Sequence, residues 1–204
     1  MTAHAVVVLG PTASGKSDVA MAAALAAGNT HIVACDSMQV YRRMDIGTAK
    51  PTTADRSAVP HHGLDLCEPS ERYTVSRFVD DVNEARGTIR AAGARELVVG
   101  GTGLYLTAIT DGLSMPGEWP EIRAELEADP DTASLFARLS ALDPVAVTRM
   151  EPNNRRRIIR ALEVCLGSGE PFSSFGEGVS TFPQSGITFI GLRWQRDEIG
   201  RAHV

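Results

Sequence analysis

Gly10-Pro11-Thr12-Ala13-Ser14-Gly15-Lys16-Ser17 decides how this chain is read. The stretch fits G-x-x-x-x-G-K-[ST], a phosphate-binding loop. Residues 5–9 before it are a short apolar run, as expected of a buried strand. After Ser17 an alanine-rich stretch carries Asp18 in its first turn and stops at Gly28, which predicts a helix. An accidental match in a glycine-rich turn would lack these flanks. Gly10 and Gly15 let the backbone bend so that its N–H groups converge on one anion. The helix N-terminus adds a partial positive charge. Lys16 adds a full charge, and the Ser17 hydroxyl is placed to ligate Mg²⁺. The loop specifies a diphosphate or triphosphate without saying which molecule carries it.

Around this loop there are 204 residues, enough for one sizeable domain or a domain with an insertion. No apolar run is long enough to span a membrane, and the N-terminus lacks the basic segment and cleavage site of a secretory signal. Cys35, Cys67 and Cys165 are odd in number, far apart and without metal-ligand spacing, so reduced thiols in a cytoplasmic protein are expected. A net charge of −5 argues against a general nucleic-acid binder, although a local basic cluster can override that average.

Residues 31–35 form a second strand candidate, ending in Asp36-Ser37-Met38-Gln39-Val40-Tyr41. Ligands of open α/β sheets sit beyond the carboxyl ends of the strands. Asp36 therefore lies close to the phosphate loop. It serves chemistry there or caps the turn that follows, and position alone does not separate the two. In the polar loop 44–51, Lys50 can reach an anion, but composition favours a solvated surface lysine. His61 and His62 read as loop residues, since neighbours on a helix or strand cannot both face one metal. Residues 74–92 carry Val75, Phe78, Val79, Val82 and Ile89 at helical spacing, with Gly93 as the stop. A strand over 96–99 then leads into Gly100-Gly101-Thr102-Gly103-Leu104-Tyr105. This second glycine turn also lies at the ligand edge, where Thr102 can contact substrate. Its glycines equally serve a tight strand-to-helix turn. The strand has no terminal Asp of the kind that binds Mg²⁺ in nucleotide-hydrolysing relatives of such loops.

From Gly112 the alternation of strand and helix breaks. Helices are predicted over 120–128, 132–142, 144–150 and 155–166, with Pro120 and Pro144 in first-turn positions and Asp143 as an N-cap. In the last of these Ile158, Ile159, Leu162, Cys165 and Leu166 make an apolar face, with Arg156, Arg157 and Arg160 opposite. Such a stripe is ordinarily a solvated face. Here the chain is acidic overall, and arginine suits phosphate recognition. Residues 167–186 read as a loop, 187–192 as a strand returning to the sheet, and Arg196 as the start of a further helix. The expected organisation is an α/β core over 1–112, an all-helical insertion over 113–183, and a return to the core over 184–204.

The ordered set of the phosphate loop, Asp36-Ser37 with Gln39-Val40-Tyr41, Asp45-Ile46-Gly47-Thr48-Ala49-Lys50-Pro51, Gly100-Gly101-Thr102-Gly103-Leu104-Tyr105, and Arg160-Ala161-Leu162-Glu163 resembles the tRNA dimethylallyltransferase family. The resemblance runs from about Val7 to about Arg193. It implies a P-loop NTPase-like parallel sheet with an all-helical insertion that binds tRNA. It also implies transfer of a dimethylallyl group from dimethylallyl diphosphate to N6 of the adenosine adjacent to the anticodon (tRNA position 37), with Mg²⁺-assisted release of diphosphate. By the same resemblance Gly10 to Ser17 hold the diphosphate, with Thr12, Lys16 and Ser17 taking part in catalysis and Ser17 on the metal. Asp36 becomes the general base. Asp36, Ser37, Met38, Gln39, Thr102, Arg123, Arg156, Arg157, Ile158, Ile159 and Arg160 align with tRNA-contacting positions. A cytoplasmic monomer acting on the tRNA anticodon stem-loop, without a membrane partner, is the expectation.

Family members are longer. The last seven residues, Glu198-Ile199-Gly200-Arg201-Ala202-His203-Val204, are what GAG-ATC-GGA-AGA-GCA-CAC-GTC encodes, and all but the first base of that string is a common sequencing-adapter sequence. The expectation is a natural frame cut near Asp197; an authentic stop codon after Val204 would overturn it. Two rival readings stand beside the resemblance. One is a nucleotide or small-molecule kinase, since the loop suits ATP equally well. The other is a shortened chain that binds without turnover.

Overall fold

The computed structural model describes residues 5–110, 116–176 and 186–195. The chain divides into two compact units, Met1–Gly112 with Phe182–Val204, and Leu113–Thr181.

The first unit is built on a five-stranded sheet in the order β3-β2-β4-β1-β5. The strands are β1 (Val6–Leu9), β2 (Thr30–Cys35), β3 (His61–His62), β4 (Arg95–Gly100) and β5 (Thr188–Gly191). Every pairing is parallel. Leu9 is in register with both Gly100 and Gly191, and Cys35 with Gly100. Four strands thus end in one row. The residues that follow them, Gly10, Asp36, Gly101 and Leu192, all leave from the same edge, where α/β sheets bind ligands. Gly100 has to be a glycine: a Cβ there would lie 2.0 Å from the Cys35 carbonyl oxygen.

Both faces of the sheet are covered, which is why its central strands read as continuous apolar runs. Helix α1 (Lys16–Ala27) covers one face, with Ala20 and Ala24 buried against Val8, Ile32 and Leu97. Its alanines let it sit close to the sheet and leave it little amphipathic pattern. Helices α3 (Val75–Ala91) and α4 (Gly103–Thr110) cover the other face, burying Phe78, Val82 and Tyr105 against Val7, Val33 and Val98. The Phe78 and Tyr105 rings stack with centroids 4.4 Å apart. Thr74 caps α3, accepting from the Arg77 N–H at 3.2 Å.

Two local readings are corrected here. His61 and His62 are not loop residues; they pair with Ile32 and Val33 as an edge strand. His62 Nε2 lies 3.0 Å from His31 Nδ1, and His61 Nδ1 lies 2.7 Å from the Val59 carbonyl oxygen. A short helix, α2 (Thr53–Ala58), stands where none was expected. Its signal is a capping box: the Thr52 hydroxyl accepts from the Asp55 N–H, and the Asp55 carboxylate accepts from the Thr52 N–H.

The second unit is helical among its described residues: α5 (Pro120–Ala128), α6 (Thr132–Leu142), α7 (Pro144–Val147) and α8 (Arg155–Ser168), followed by a 3₁₀ turn at Phe172–Phe175. Helix α7 stops three residues short of the expected Met150, and α8 runs two residues past the expected Leu166. The 3₁₀ turn lies in a stretch read as loop. Asp143 caps α7 as anticipated, accepting from the Ala146 N–H at 2.9 Å, and its other oxygen accepts from the Ser173 N–H at 2.7 Å. That second bond ties the 3₁₀ turn to α7. The core is Leu126, Leu135, Leu139, Ile158 and Leu162. Strand β5 forms within the predicted 187–192. The helix anticipated from Arg196 and most of the loop before β5 fall outside the described residues.

Candidate active site

The phosphate loop joins β1 to α1 with a backbone that turns left-handed twice, at Ala13 (φ 62°) and Gly15 (φ 76°). At Gly15 only glycine takes that value without strain. Gly15 is also the N-cap of α1 and carries no capping side chain. The first amides of α1 therefore lack the side-chain partner that most helices supply, and they are available to an anion. Ser14 is buried, and its hydroxyl has no hydrogen-bond partner among the described residues. A buried hydroxyl without a partner is a costly arrangement unless something binds to it. The Lys16 ammonium rests on the Pro11 carbonyl at 3.4 Å, a long contact that a phosphate can displace.

Asp36 stands beside this loop. It is half-buried, and its Oδ1 accepts from the Met38 N–H at 2.8 Å and the Gln39 N–H at 3.4 Å. The capping role is therefore real. It occupies Oδ1; Oδ2 accepts no hydrogen bond among the described residues. Next to it the Ser37 N–H donates to the Thr102 hydroxyl at 3.2 Å. That bond ties the turn after β2 to the glycine turn after β4. Thr12, Lys16, Ser17, Asp36 and Gln39 line one cavity of about 470 Å³. Met38 is exposed. Gln39 is buried, and its amide N–H donates to the Thr48 carbonyl at 2.9 Å, so its donors hold the loop rather than face a partner.

Ser17 and Asp36 contribute hard oxygen donors to that cavity, the kind Mg²⁺ prefers. Among the described residues no cluster of three or more His, Cys, Asp or Glu side chains is arranged to hold a metal. The residues fit a cation that takes its remaining ligands from phosphate and water.

Lys50 is not a solvated lysine. Its side chain is buried, and its ammonium donates to the Tyr41 carbonyl at 2.7 Å, Asp65 at 2.8 Å and Asp45 at 2.9 Å. Arg56 Nη1 bonds the other Asp65 oxygen at 2.7 Å. Burial pushes the Asp65 carboxyl up, but Lys50 and Arg56 outweigh it and hold the carboxyl below the usual range. The four charges cancel and fix the loop between β2 and α2, whose residues 48–51 form one wall of the cavity.

In the helical unit the arginines divide. The Arg155 guanidinium caps the end of α5, donating to the Glu127 carbonyl at 3.1 Å. Arg123 and Arg160, both expected to contact tRNA, converge on Glu163, which is 1% exposed. Arg123 Nε donates to Glu163 Oε2 at 3.0 Å, and the Trp119 N–H donates to Oε1 at 2.8 Å. Arg160 also donates to the Pro116 carbonyl at 2.8 Å. These two side chains hold α5 against α8. Ile158 and Ile159, also expected among the tRNA-contacting positions, have their side chains buried in the helical core. Arg156 and Arg157 remain exposed and make no ion pair among the described residues. They stand at the positive end of α8, where a cation costs about 0.3–1 kcal/mol in the absence of an anion.

Glu163 closes the Arg160-Ala161-Leu162-Glu163 motif, which by itself assigns it no role. Burial pushes its carboxyl up; the Trp119 amide, Arg160 and Arg123 outweigh burial and hold it below the usual range. A depressed carboxylate contributes stability that is present above its unfolded value of about 4.3 and lost as pH falls through the folded one. Glu163→Gln should cost the helical unit about 1–3 kcal/mol at neutral pH. The loss should start to shrink as pH falls below the unfolded value of about 4.3, and vanish only below the lower folded value, where the native carboxyl is protonated as well. Denaturant melts of both proteins across pH 3–7, roughly spanning the carboxylate range, check this. A constant difference across that range would mean that the ion pairs contribute nothing.

The IPP transferase family model matches residues 39–202, and the Isopentenyl transferase model matches residues 2–60. The tRNA dimethylallyltransferase 1 of Citrifermentans bemidjiense is 44% identical over 96% of this chain and 64% of its own length. The tRNA dimethylallyltransferase of Halorhodospira halophila is 46% identical over 95% of this chain and 62% of its own length. The chain thus spans under two thirds of the length of these relatives. Among solved structures, the tRNA isopentenylpyrophosphate transferase of Bacillus halodurans is 40% identical with a TM-score of 0.52, over 83% of this chain and 57% of that one. A eukaryotic dimethylallyltransferase solved acting on tRNA is 28% identical with a TM-score of 0.74, over 93% of this chain and 48% of that one. Those neighbours have a P-loop NTPase-like fold, and the parallel sheet described above is of that kind. With a family model matched over most of its length, the chain belongs to the IPP transferase family.

Proposed function

We propose that this protein acts in transfer of a dimethylallyl group from dimethylallyl diphosphate to N6 of the adenosine adjacent to the anticodon of tRNA, releasing diphosphate. The observation that carries the reading is one cavity lined by both the phosphate loop and Asp36, in which, among the described residues, the Ser14 hydroxyl and the Asp36 Oδ2 have no hydrogen-bond partner. In the reaction the N6–carbon bond forms as the carbon–oxygen bond to diphosphate breaks. Asp36 takes the proton from N6. Lys16 and the amides of Gly15 to Ser17 stabilise the charge growing on the leaving group, with Thr12 at the mouth of the loop. Ser17 is the residue we assign to Mg²⁺, which supplies further neutralisation of the diphosphate. Thr102, held to the Asp36 turn, orients the incoming base. A stacked adenine cannot reach a carboxylate at a sheet edge, so the nucleotide is extruded from the anticodon loop.

The test is incorporation of labelled dimethylallyl diphosphate into tRNA, with this chain and with one extended by the segment its longer relatives carry. Label in tRNA supports the reading. A chain stabilised by ATP with Mg²⁺ and not by dimethylallyl diphosphate would sink it in favour of phosphoryl transfer.

We assign the tRNA-facing cations of the helical unit to Arg156 and Arg157. Their exposure and their unfavourable place on α8 support this, whereas Arg123 and Arg160 are engaged internally. Each change to alanine should flatten the salt dependence of tRNA binding by about 0.7–0.9 in log–log slope. Dimethylallyl diphosphate affinity should not move. An unchanged slope would return this face to solvated surface.

A further inference from the structure

One residue outside every motif touches the phosphate loop. Trp194 follows β5, and its indole Nε1–H donates to the Ser14 carbonyl oxygen at 2.9 Å, across 180 residues of chain. The chain leaving β5 runs against the start of the same loop. The Leu192 N–H donates to the Leu9 carbonyl at 2.8 Å, and the Leu192 Cβ lies 3.2 Å from where a Cβ on Gly10 would stand.

The bond matters because of what it does to one peptide plane. The C=O of Ser14 and the N–H of Gly15 belong to the same trans peptide and point in opposite directions. Trp194 is not among the residues lining the cavity, whereas Ser14 and Gly15 are. A carbonyl held toward Trp194 therefore turns the Gly15 N–H toward the cavity. This peptide is also the soft point of the loop. Gly15 has φ 76°, and a Cβ there would meet nothing within 4 Å. Glycine populates positive and negative φ about equally, so sterics alone do not stop the plane from rotating. A flipped plane would present an oxygen, not a donor, to the anion.

We infer that Trp194 is a positioning residue for the phosphate loop, holding the Ser14–Gly15 peptide with its N–H toward the diphosphate. The inference rests on the diphosphate reading of the cavity. The test therefore uses inorganic pyrophosphate with Mg²⁺ on the chain as it exists, without tRNA. Trp194→Phe keeps a ring and removes the donor. It should weaken pyrophosphate binding about three- to tenfold, the range expected of one net hydrogen bond, with an unchanged melting temperature. Exchange of the Gly15 amide should quicken in the same variant. Trp194→Ala, which removes the ring too, separates packing from bonding. Weakening in the alanine variant alone would overturn the inference, as would unchanged affinity in both variants. A fall in affinity matched by a fall in melting temperature would overturn it too. If the parent chain fails to bind pyrophosphate at all, it is the diphosphate reading that has failed.

Discussion

Asp36→Asn should slow single-turnover transfer by about 10²–10⁴-fold, the usual worth of a general base, or roughly 3–5 kcal/mol of transition-state stabilisation. The structure sharpens this expectation. The capping bonds from the Met38 and Gln39 N–H groups go to Oδ1, and an amide oxygen can accept both. Asn therefore preserves the turn while replacing the free Oδ2 with a group that takes no proton. The affinity for tRNA should change far less than the rate, and the melting temperature should hold. A variant with normal single-turnover rate at saturating tRNA but collapsed affinity would show that Asp36 reads the base and does not catalyse. Water or the departing diphosphate would then take the proton.

The second large effect is at Lys16. Its ammonium has one long contact, to the Pro11 carbonyl, so removing it leaves no buried partner unpaired. Lys16→Ala should fold normally yet bring turnover below detection, because the leaving group loses its nearest fixed cation. Loss of one preorganised electrostatic contact typically costs about 10²–10³-fold in rate, and a full charge exceeds a neutral donor. Diphosphate affinity should fall by at least about tenfold, since charge-assisted bonds are worth more than neutral ones. Calorimetry with dimethylallyl diphosphate settles the point. Undiminished affinity in the variant would place the diphosphate somewhere other than this loop.

Much of the site was legible in the sequence because its signals are local. The phosphate loop, the strand end at Cys35 and the cap at Asp143 each announce themselves within a few residues. What escaped depends on partners far along the chain. Lys50 looks like any polar-loop lysine until Asp65 and Tyr41 surround it. Glu163 sits among arginines on a helical wheel, and only the approach of Trp119 and Arg123 makes it a buried hub. The same approach takes Arg160 out of the surface stripe that periodicity alone gives it. Ile158 and Ile159 show the converse: their spacing places them on the apolar face, and their side chains are buried there. Helix α2 had a readable capping box, hidden between Pro51 and Pro60. Trp194 offered no signal at all, since nothing near it in sequence resembles a motif.

The position of β1 has a consequence for how the protein is made. β1 lies between β4 and β5, so it waits for partners that come later in the chain. At a synthesis rate of about 5–20 residues per second, the 180 residues separating Ser14 from Trp194 take roughly ten to forty seconds to appear. During that interval the helical unit is complete in sequence, and its contacts are local enough to form. The phosphate loop is then in the opposite situation. It is translated before the helical unit, yet one edge of its strand and the outer brace of its backbone are still unmade. A nascent chain halted before residue 188 would carry the whole motif and lack the frame that holds it open.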